Sequence, residues 1–354
     1  MKLYNKILLV LCVIAFGSSY VISINRHKTA SMPKGTHMDK TSCCGLGYTS
    51  LKRDHAKHLN GGREESVVFY SQEHALSERM IERKGILIHR PNAKATILIC
   101  HGYTCNKYDA TFLRLLFTDY NVMIFDFRAH GECIDGQVCS FGRDEAYDVI
   151  GAVKFLRSYK ALANKPIIAY GFSMGAVSSI IAQSMQPLFD AAIWDCPIDS
   201  SDELISRSID KLKAPVFVKN MLKKNAYRPR VQAFIKFWLR AITNLDATKI
   251  HTMMVPLSGI DAIHNVSIPI LIIGCDNDEK IPVSGVTKLY ESAQSSYKRL
   301  WITGGRRHFD SLFNGPEEYA YKINRFIDKV VQHSLKKNSQ KIIGIDAKKI
   351  EKIK

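Results

Sequence analysis

Acidic charge is scarce in this chain: 33 Asp and Glu stand against 50 Lys and Arg, a formal net charge of +17 over 354 residues. That imbalance favours acidic membranes or other anionic partners, but it decides nothing about fold. No Cys-x-x-Cys occurs among the nine cysteines, so zinc-ribbon and thioredoxin-like readings have no foothold. No zinc-finger spacing, RNA-recognition signature or basic-region heptad accompanies the positive charge, so nucleic acid is not an expected partner. Internal repeats and long low-complexity tracts are absent as well. With 46% hydrophobic and 23% charged residues, most of the chain has the composition of an ordinary globular protein. Its length allows one large core or two modest ones.

The basic residues gather in two places. Residues 200–256 hold 11 Lys and Arg against 4 acids, and residues 332–354 hold 7 Lys against 2 acids. At the N-terminus, Lys2 and Lys6 precede an uncharged run from Ile7 to Ile24, with Arg26 and Lys28 behind it. A basic start, an apolar stretch and Gly17-Ser18-Ser19 fit a secretory signal peptide, and the run is also just long enough to anchor in a bilayer. Residues 1–28 are therefore read as a signal peptide or membrane anchor, and residues 29–63 as a polar linker. An exported or membrane-anchored protein is expected, with its main domain on the non-cytoplasmic side. In that setting Cys133 and Cys139 are a short-range candidate pair. Cys100, Cys196 and Cys275 lie on apolar strands, where free buried thiols are the default.

From Ser66 onward, strand-like runs alternate with amphipathic helices. Ser66–Tyr70 and Gly85–His89 look like a leading pair. Thr96–Cys100, Asn121–Phe125, Ile167–Tyr170, Ala191–Trp194, Pro269–Ile273 and Arg299–Ile302 are short continuous apolar runs, as parallel strands buried on both faces require. Between them, Arg143–Tyr159 carries Ala146, Val149, Ile150, Val153 and Leu156 on one helical face. This alternation predicts an α/β fold with a mostly parallel, doubly wound sheet. The stretch from Pro197 to Ser267 has helical patterns and no strand, and 200–256 reads as a helical cap insertion over the strand ends.

The chemistry gathers at those ends. Gly171-Phe172-Ser173-Met174-Gly175 follows the Ile167–Tyr170 strand, and small residues two positions either side of a serine suit a sharp strand-to-helix turn. A serine needs a base, and the base an orienting acid. After the last strand, Thr303-Gly-Gly-Arg-Arg-His308 supplies one histidine in a glycine-rich loop. After the preceding strand, Gly274-Cys-Asp276-Asn-Asp278-Glu279 supplies three carboxylates. For a developing oxyanion, the amide of Met174 is one expected donor. The amide of Tyr103, in the turn His101-Gly102-Tyr103-Thr104, is the other.

With these elements in place the chain resembles an α/β-hydrolase, and within that superfamily the serine aminopeptidase S33 and bacterial cinnamoyl-esterase group. The likeness rests on His101-Gly-Tyr-Thr, Asp126-Phe-Arg-Ala-His-Gly131, Gly171–Gly175, Asp261–Gly274, Asp278-Glu-Lys-Ile-Pro282 and His308-Phe309. It covers roughly residues 64–330, leaving 331–354 as a basic tail. The resemblance implies an α/β-hydrolase fold and a Ser173–His308–Asp278 triad. An Asp four residues before Pro282 recurs at the acid turn of such enzymes, which favours Asp278. The acid loop is one residue longer than usual, which keeps Asp276 open as the alternative acid. Ala129 replaces a familiar glycine. Arg306 and Arg307 would depress the proton affinity of His308 if they point inward. Asp126 and His130 are expected to brace a turn. The implied activity is a serine hydrolase on carboxylic esters of small-molecule or lipid-like substrates, with no metal or organic cofactor. An acyltransferase or peptidase would use the same groups, and a catalytically silent binding protein at a membrane surface is the non-enzymatic alternative.

Overall fold

The computed structural model describes residues 61–133, 136–200 and 259–333 with their side chains, the helix backbone on to Glu351, and isolated positions between 207 and 237. The expected leader, the linker up to residue 60 and most of the cap lie outside the described residues, and Arg63, counted with the linker, opens β1.

Eight strands form one sheet. They are β1 (Arg63–Gln72), β2 (Met80–His89), β3 (Thr96–Cys100), β4 (Asn121–Phe125), β5 (Ile167–Phe172), β6 (Ala191–Asp195), β7 (Ile270–Cys275) and β8 (Lys298–Thr303). Their order is β1-β2-β4-β3-β5-β6-β7-β8. Pairing is antiparallel from β1 through β2 to β4 and parallel from β4 through β3 to β8. The helices are α1 (Glu145–Ser158), α2 (Met174–Met185), α3 (Gly259–Ile263), α4 (Val283–Ser292), α5 (Ser311–Asn314) and α6 (Pro316–Glu351). Helix α6 carries on through what the sequence suggested was a separate tail.

Why the strands read as unbroken apolar runs is plain from their packing, because successive side chains leave opposite faces of a strand. Leu98, Met123, Ala169, Trp194 and Ile272 pack in one core with α1, α2, α3 and α4. Ile97, Ile99, Ile124, Tyr170 and Ile273 pack in a second core with α6 and the 3-10 turn Thr111–Phe117. Each of these aliphatic side chains, fully shielded, contributes ~1.5–3 kcal/mol relative to exposure. Covering both faces leaves ligands only the strand ends. The chain steps from β3 outward to β4 and returns to β5 on the other side of β3. The crevice between the carboxyl ends of β3 and β5 is thus the switch point where such sheets bind ligands. His101–Thr104 and Ser173 leave the sheet there.

One local expectation changed and another held. Cys133 and Cys139 are not paired; both are buried free thiols. The Cys139 thiol donates to the Met174 sulfur at 3.5 Å, and the Cys133 backbone bridges to His130, so the two sulfurs serve different packing environments. Asp126 and His130 do brace a turn. Buried Asp126 accepts from the Lys107 amide at 2.6 Å, the Lys107 ammonium at 2.7 Å and the Glu132 amide at 3.1 Å. His130 Nδ1–H donates to the Arg128 carbonyl at 2.8 Å.

Candidate active site

Ser173 sits between β5 and α2 with φ +53° and ψ −119°, a conformation that costs a non-glycine residue ~1–3 kcal/mol. The surrounding packing holds it there. A Cβ on Gly175 would collide with the carbonyl oxygens of Cys100 and His101, and one on Gly171 would lie 2.7 Å from the Ala176 Cα. The two glycines therefore let α2 press against β3 and β5. The Ser173 amide donates to the Asp195 carbonyl at 2.9 Å, which extends the β5–β6 ladder up to the turn. The side chain is partly exposed, so a substrate can reach it. Met174 is the first residue of α2, and its N–H falls outside the helix's own hydrogen-bond ladder.

The turn after β3 lies alongside. A Cβ built on Gly102 would come within 3.5 Å of the Ser173 Cβ, so the Gly102–Tyr103 backbone borders the serine. His101 locks this turn. One ring nitrogen, Nδ1, donates to the Gly102 carbonyl at 2.9 Å, and Nε2 accepts the Phe127 amide at 3.2 Å. Burial, with the nearby His130 adding to it, pushes the His101 pKa down to about 3, and the neutral ring can play both parts.

His308 and Asp278 meet at the far side. The His308 Nδ1 lies 2.7 Å from Asp278 Oδ2. The other oxygen of Asp278 accepts the amides of Lys280 and Ile281, both at 2.8 Å. Burial alone would raise the Asp278 pKa. The His308 hydrogen bond and charge, together with the two amides, outweigh it and hold the carboxyl below its ordinary value. Asp276, one turn earlier, is exposed and carries no such bond. Asp195 is drawn away from the histidine: Tyr319 donates to it at 2.8 Å, and burial raises its pKa to about 7.

Dyad and serine are joined through their neighbours. Phe309 and Phe172 stack with ring centroids 4.1 Å apart and planes 16° from parallel. Phe309 has φ +59°, a kink that lets the ring turn inward directly after His308. This stack was invisible in the sequence beyond the bare pair His308-Phe309. Cys196 was also missed as part of the site. It follows β6 with φ +46°, and its sulfur lies within 4.8 Å of donor atoms of Asp278 and His308. Its partner Cys275 lies 3.8 Å away, sulfur to sulfur. The Cys196 hydrogen bond, with others from Ser311 and Thr303, lowers the Cys275 pKa to about 6. Arg306 and Arg307 point outward, the Arg307 side chain being 81% exposed, so the condition for their acting on His308 is not met. From the cap interval, Arg207 reaches Asp199 with a guanidinium nitrogen 2.8 and 2.9 Å from its two oxygens.

A doubly wound sheet with a strained serine elbow, a histidine–carboxylate pair linked to it through stacked phenylalanines and a turn bordering the serine fits an α/β-hydrolase. Residues 91–314 match the serine aminopeptidase S33 family, and the chain belongs to that family of hydrolases. The uncharacterized protein YqkD of Bacillus subtilis (strain 168) is 28% identical over 261 residues, 69% of this chain and 75% of its own. Among solved structures, the Pyrococcus furiosus esterase Pf2001 superposes with a TM-score of 0.56 at 22% identity, covering 77% of this chain and 94% of the esterase. The Pyrococcus horikoshii acylaminoacyl peptidase gives 0.54 at 18% identity, over 80% of this chain and 43% of the peptidase. At such identities these structures speak to the fold.

Proposed function

We propose that the protein hydrolyses carboxylic esters of acylated or lipid-like substrates through Ser173, His308 and Asp278. The observation that carries this reading is the 2.7 Å His308–Asp278 bond set beside the strained Ser173 by the Phe172–Phe309 stack. With Nδ1–H held by Asp278, the His308 Nε2 is the basic nitrogen and takes the Ser173 proton as Oγ attacks the ester carbonyl carbon. The carbonyl π electrons move to oxygen, and the amides of Met174 and Tyr103 stabilise that oxyanion. Collapse breaks the bond to the leaving alkoxide, which receives the proton from His308 Nε2. A water then repeats the attack on the acyl-enzyme, with His308 again as base, and releases the acid.

A peptidase on the same groups is the second reading, because the family takes its name from an aminopeptidase. An aminopeptidase must welcome a free ammonium group. An ester carries no such group, so a panel that includes aminoacyl substrates separates the two readings. The test is labelling of the protein with a fluorophosphonate, followed by a panel of ester, thioester and aminoacyl substrates. Labelling that disappears in Ser173→Ala is the expected result. A folded wild-type protein that takes no label would leave the non-catalytic reading in its place.

A further inference from the structure

The edge of the sheet at β8 carries a groove that the chemistry above does not use. It encloses about 400 Å³ between β8 and α6, and Trp301, Tyr321, Arg299, Lys322, Arg325 and Lys329 are among the residues lining it. Tyr321, Lys322, Arg325 and Lys329 recur at helical spacing, so they share one face of α6. Cations and rings interleave: the Lys322 ammonium lies 4.1 Å from the Trp301 ring centroid, and the Arg299 guanidinium 5.3 Å from that of Tyr297. Lys322 is paired with Glu318 at 2.7 Å. Arg299, Arg325 and Lys329 are exposed and form no ion pair among the described residues.

Charge on an edge strand discourages strand-to-strand association, which accounts for Arg299; Lys298 is taken up by the carbonyls of Tyr290, Glu291 and Ala293. Edge charge does not account for cations on the helix face opposite. Nor does a second copy suit the groove, since the same three unpaired cations would meet one another. Flat aromatic rings among outward-reaching Arg and Lys are the composition of a protein surface held at a bilayer's headgroup level. The positive charge also continues beyond the groove. Exposed Arg306 and Arg307 follow β8 towards His308, and residues 332–354 add 7 Lys against 2 acids.

We propose that the β8–α6 groove is a docking surface for an anionic membrane, its Arg and Lys side chains engaging the phosphate and carboxylate of acidic phospholipid headgroups. Docking here brings the end of β8, and the histidine loop that follows it, towards the lipid.

The test is flotation of the full chain with vesicles of phosphatidylcholine alone, or of phosphatidylcholine and phosphatidylserine in equal parts. Binding to neutral vesicles measures the apolar segment Ile7–Ile24, and the excess on acidic vesicles measures charge. The combined substitutions Arg299→Gln, Arg325→Gln and Lys329→Gln are expected to reduce that excess roughly 100-fold, at about fivefold per basic residue near an acidic surface. Lys94→Gln, Lys154→Gln and Lys160→Gln remove the same charge from exposed positions elsewhere and should leave it near wild type. Should the triple variant not fold, Lys329→Gln alone carries the test, with a fall of about fivefold. Equal loss in the two triple variants, or no acidic preference in the wild type, overturns the proposal. Displacement by inorganic phosphate at matched ionic strength also overturns it, in favour of a free-phosphate site. Ser173→Ala protein serves equally well in flotation, so this inference is tested apart from the catalytic reading.

Discussion

His101 and His308 both follow strand ends, after β3 and β8, and the contrast between them is one of filled against open hydrogen-bonding capacity. Both of His101's ring nitrogens are committed, one to the Gly102 carbonyl and one to the Phe127 amide, and the ring is fully buried. His308 is half-buried and, among the described residues, commits only Nδ1, to Asp278. The same division runs through the acids. Asp148 spends both oxygens on the Arg128 guanidinium, the Arg128 amide and the Ser71 hydroxyl, and nothing is left over for a ligand. Asp278 spends one oxygen on two backbone amides and passes the other to a half-buried histidine. A buried polar group whose valences are all filled specifies a shape. One whose chain of bonds ends in an open nitrogen can move a proton.

The sharpest way to break the contrast is to cut the Asp278–His308 bond without disturbing the turn. Asp278→Asn keeps the volume but offers His308 no anion and no preference for the productive tautomer. The expected outcome is a fall in kcat/KM of roughly 10⁴-fold on a soluble ester, the scale seen when such an acid is neutralised. Asp276→Asn, at an exposed position without that bond, should stay close to wild type. Steady-state kinetics on both variants decide the matter: equal losses would mean that the carboxylates act together and that Asp278 has no special part.

His101 offers a stability test of intermediate size. Its folded pKa of about 3 lies below the ordinary value near 6.5, so in acid the unfolded chain binds a proton that the folded one refuses. Its contribution is therefore whole above pH ~6.5 and is lost as pH falls towards ~3, at up to ~1.4 kcal/mol per pH unit. His130, also lowered by burial, acts in the same sense. Asp195, raised to about 7, and Asp109, raised to about 6, act in the opposite sense across the same window. The net slope of the wild type is accordingly a poor readout. The difference between wild type and His101→Asn is a good one. Urea unfolding between pH 4 and 6.5, an interval bounded roughly by those pKa values, should show the variant's stability falling less steeply by one proton. Identical slopes would show that the ring is protonated in the fold.

How far these roles could be read in advance depended on range. Strands β3 and β4 coincide with their apolar runs residue for residue, because burial on both faces writes itself into consecutive side chains. Strand β5 runs two residues past Tyr170, into Gly171 and Phe172, since the ladder to β6 continues to the foot of the serine turn where the apolar pattern has stopped. Strands β1 and β2 are longer than their apolar cores, for an antiparallel edge pair keeps polar residues such as Glu82 and Lys84 on its open face. The sharp turn at Ser173, and the pairing of His308 with Asp278, were legible from short motifs and from the chain's resemblance to a family. The His101 clamp, the Phe172–Phe309 stack and the place of Cys196 were not. Each joins residues from different strand ends, and their meeting depends on sheet order, which no local pattern records.

The smallest effect belongs to the turn that completes the scaffold side. Ala129 occupies φ +60° between the Arg128–Asp148 pair and the His130 contact, at the position where the sequence departs from a familiar glycine. The left-handed conformation costs a side-chain-bearing residue ~1–2 kcal/mol. Glycine would remove that strain but would also enlarge the freedom lost on folding, by ~0.5–1 kcal/mol. Ala129→Gly should therefore raise stability by only about 0.5–1 kcal/mol. Because the Ala129 amide still reaches the Cys133 carbonyl at 2.8 Å, the turn itself should persist and esterase kinetics should not move. A gain in stability accompanied by altered kcat/KM would blur the contrast between the two histidines, since it would show the strained turn to be coupled to the site it borders.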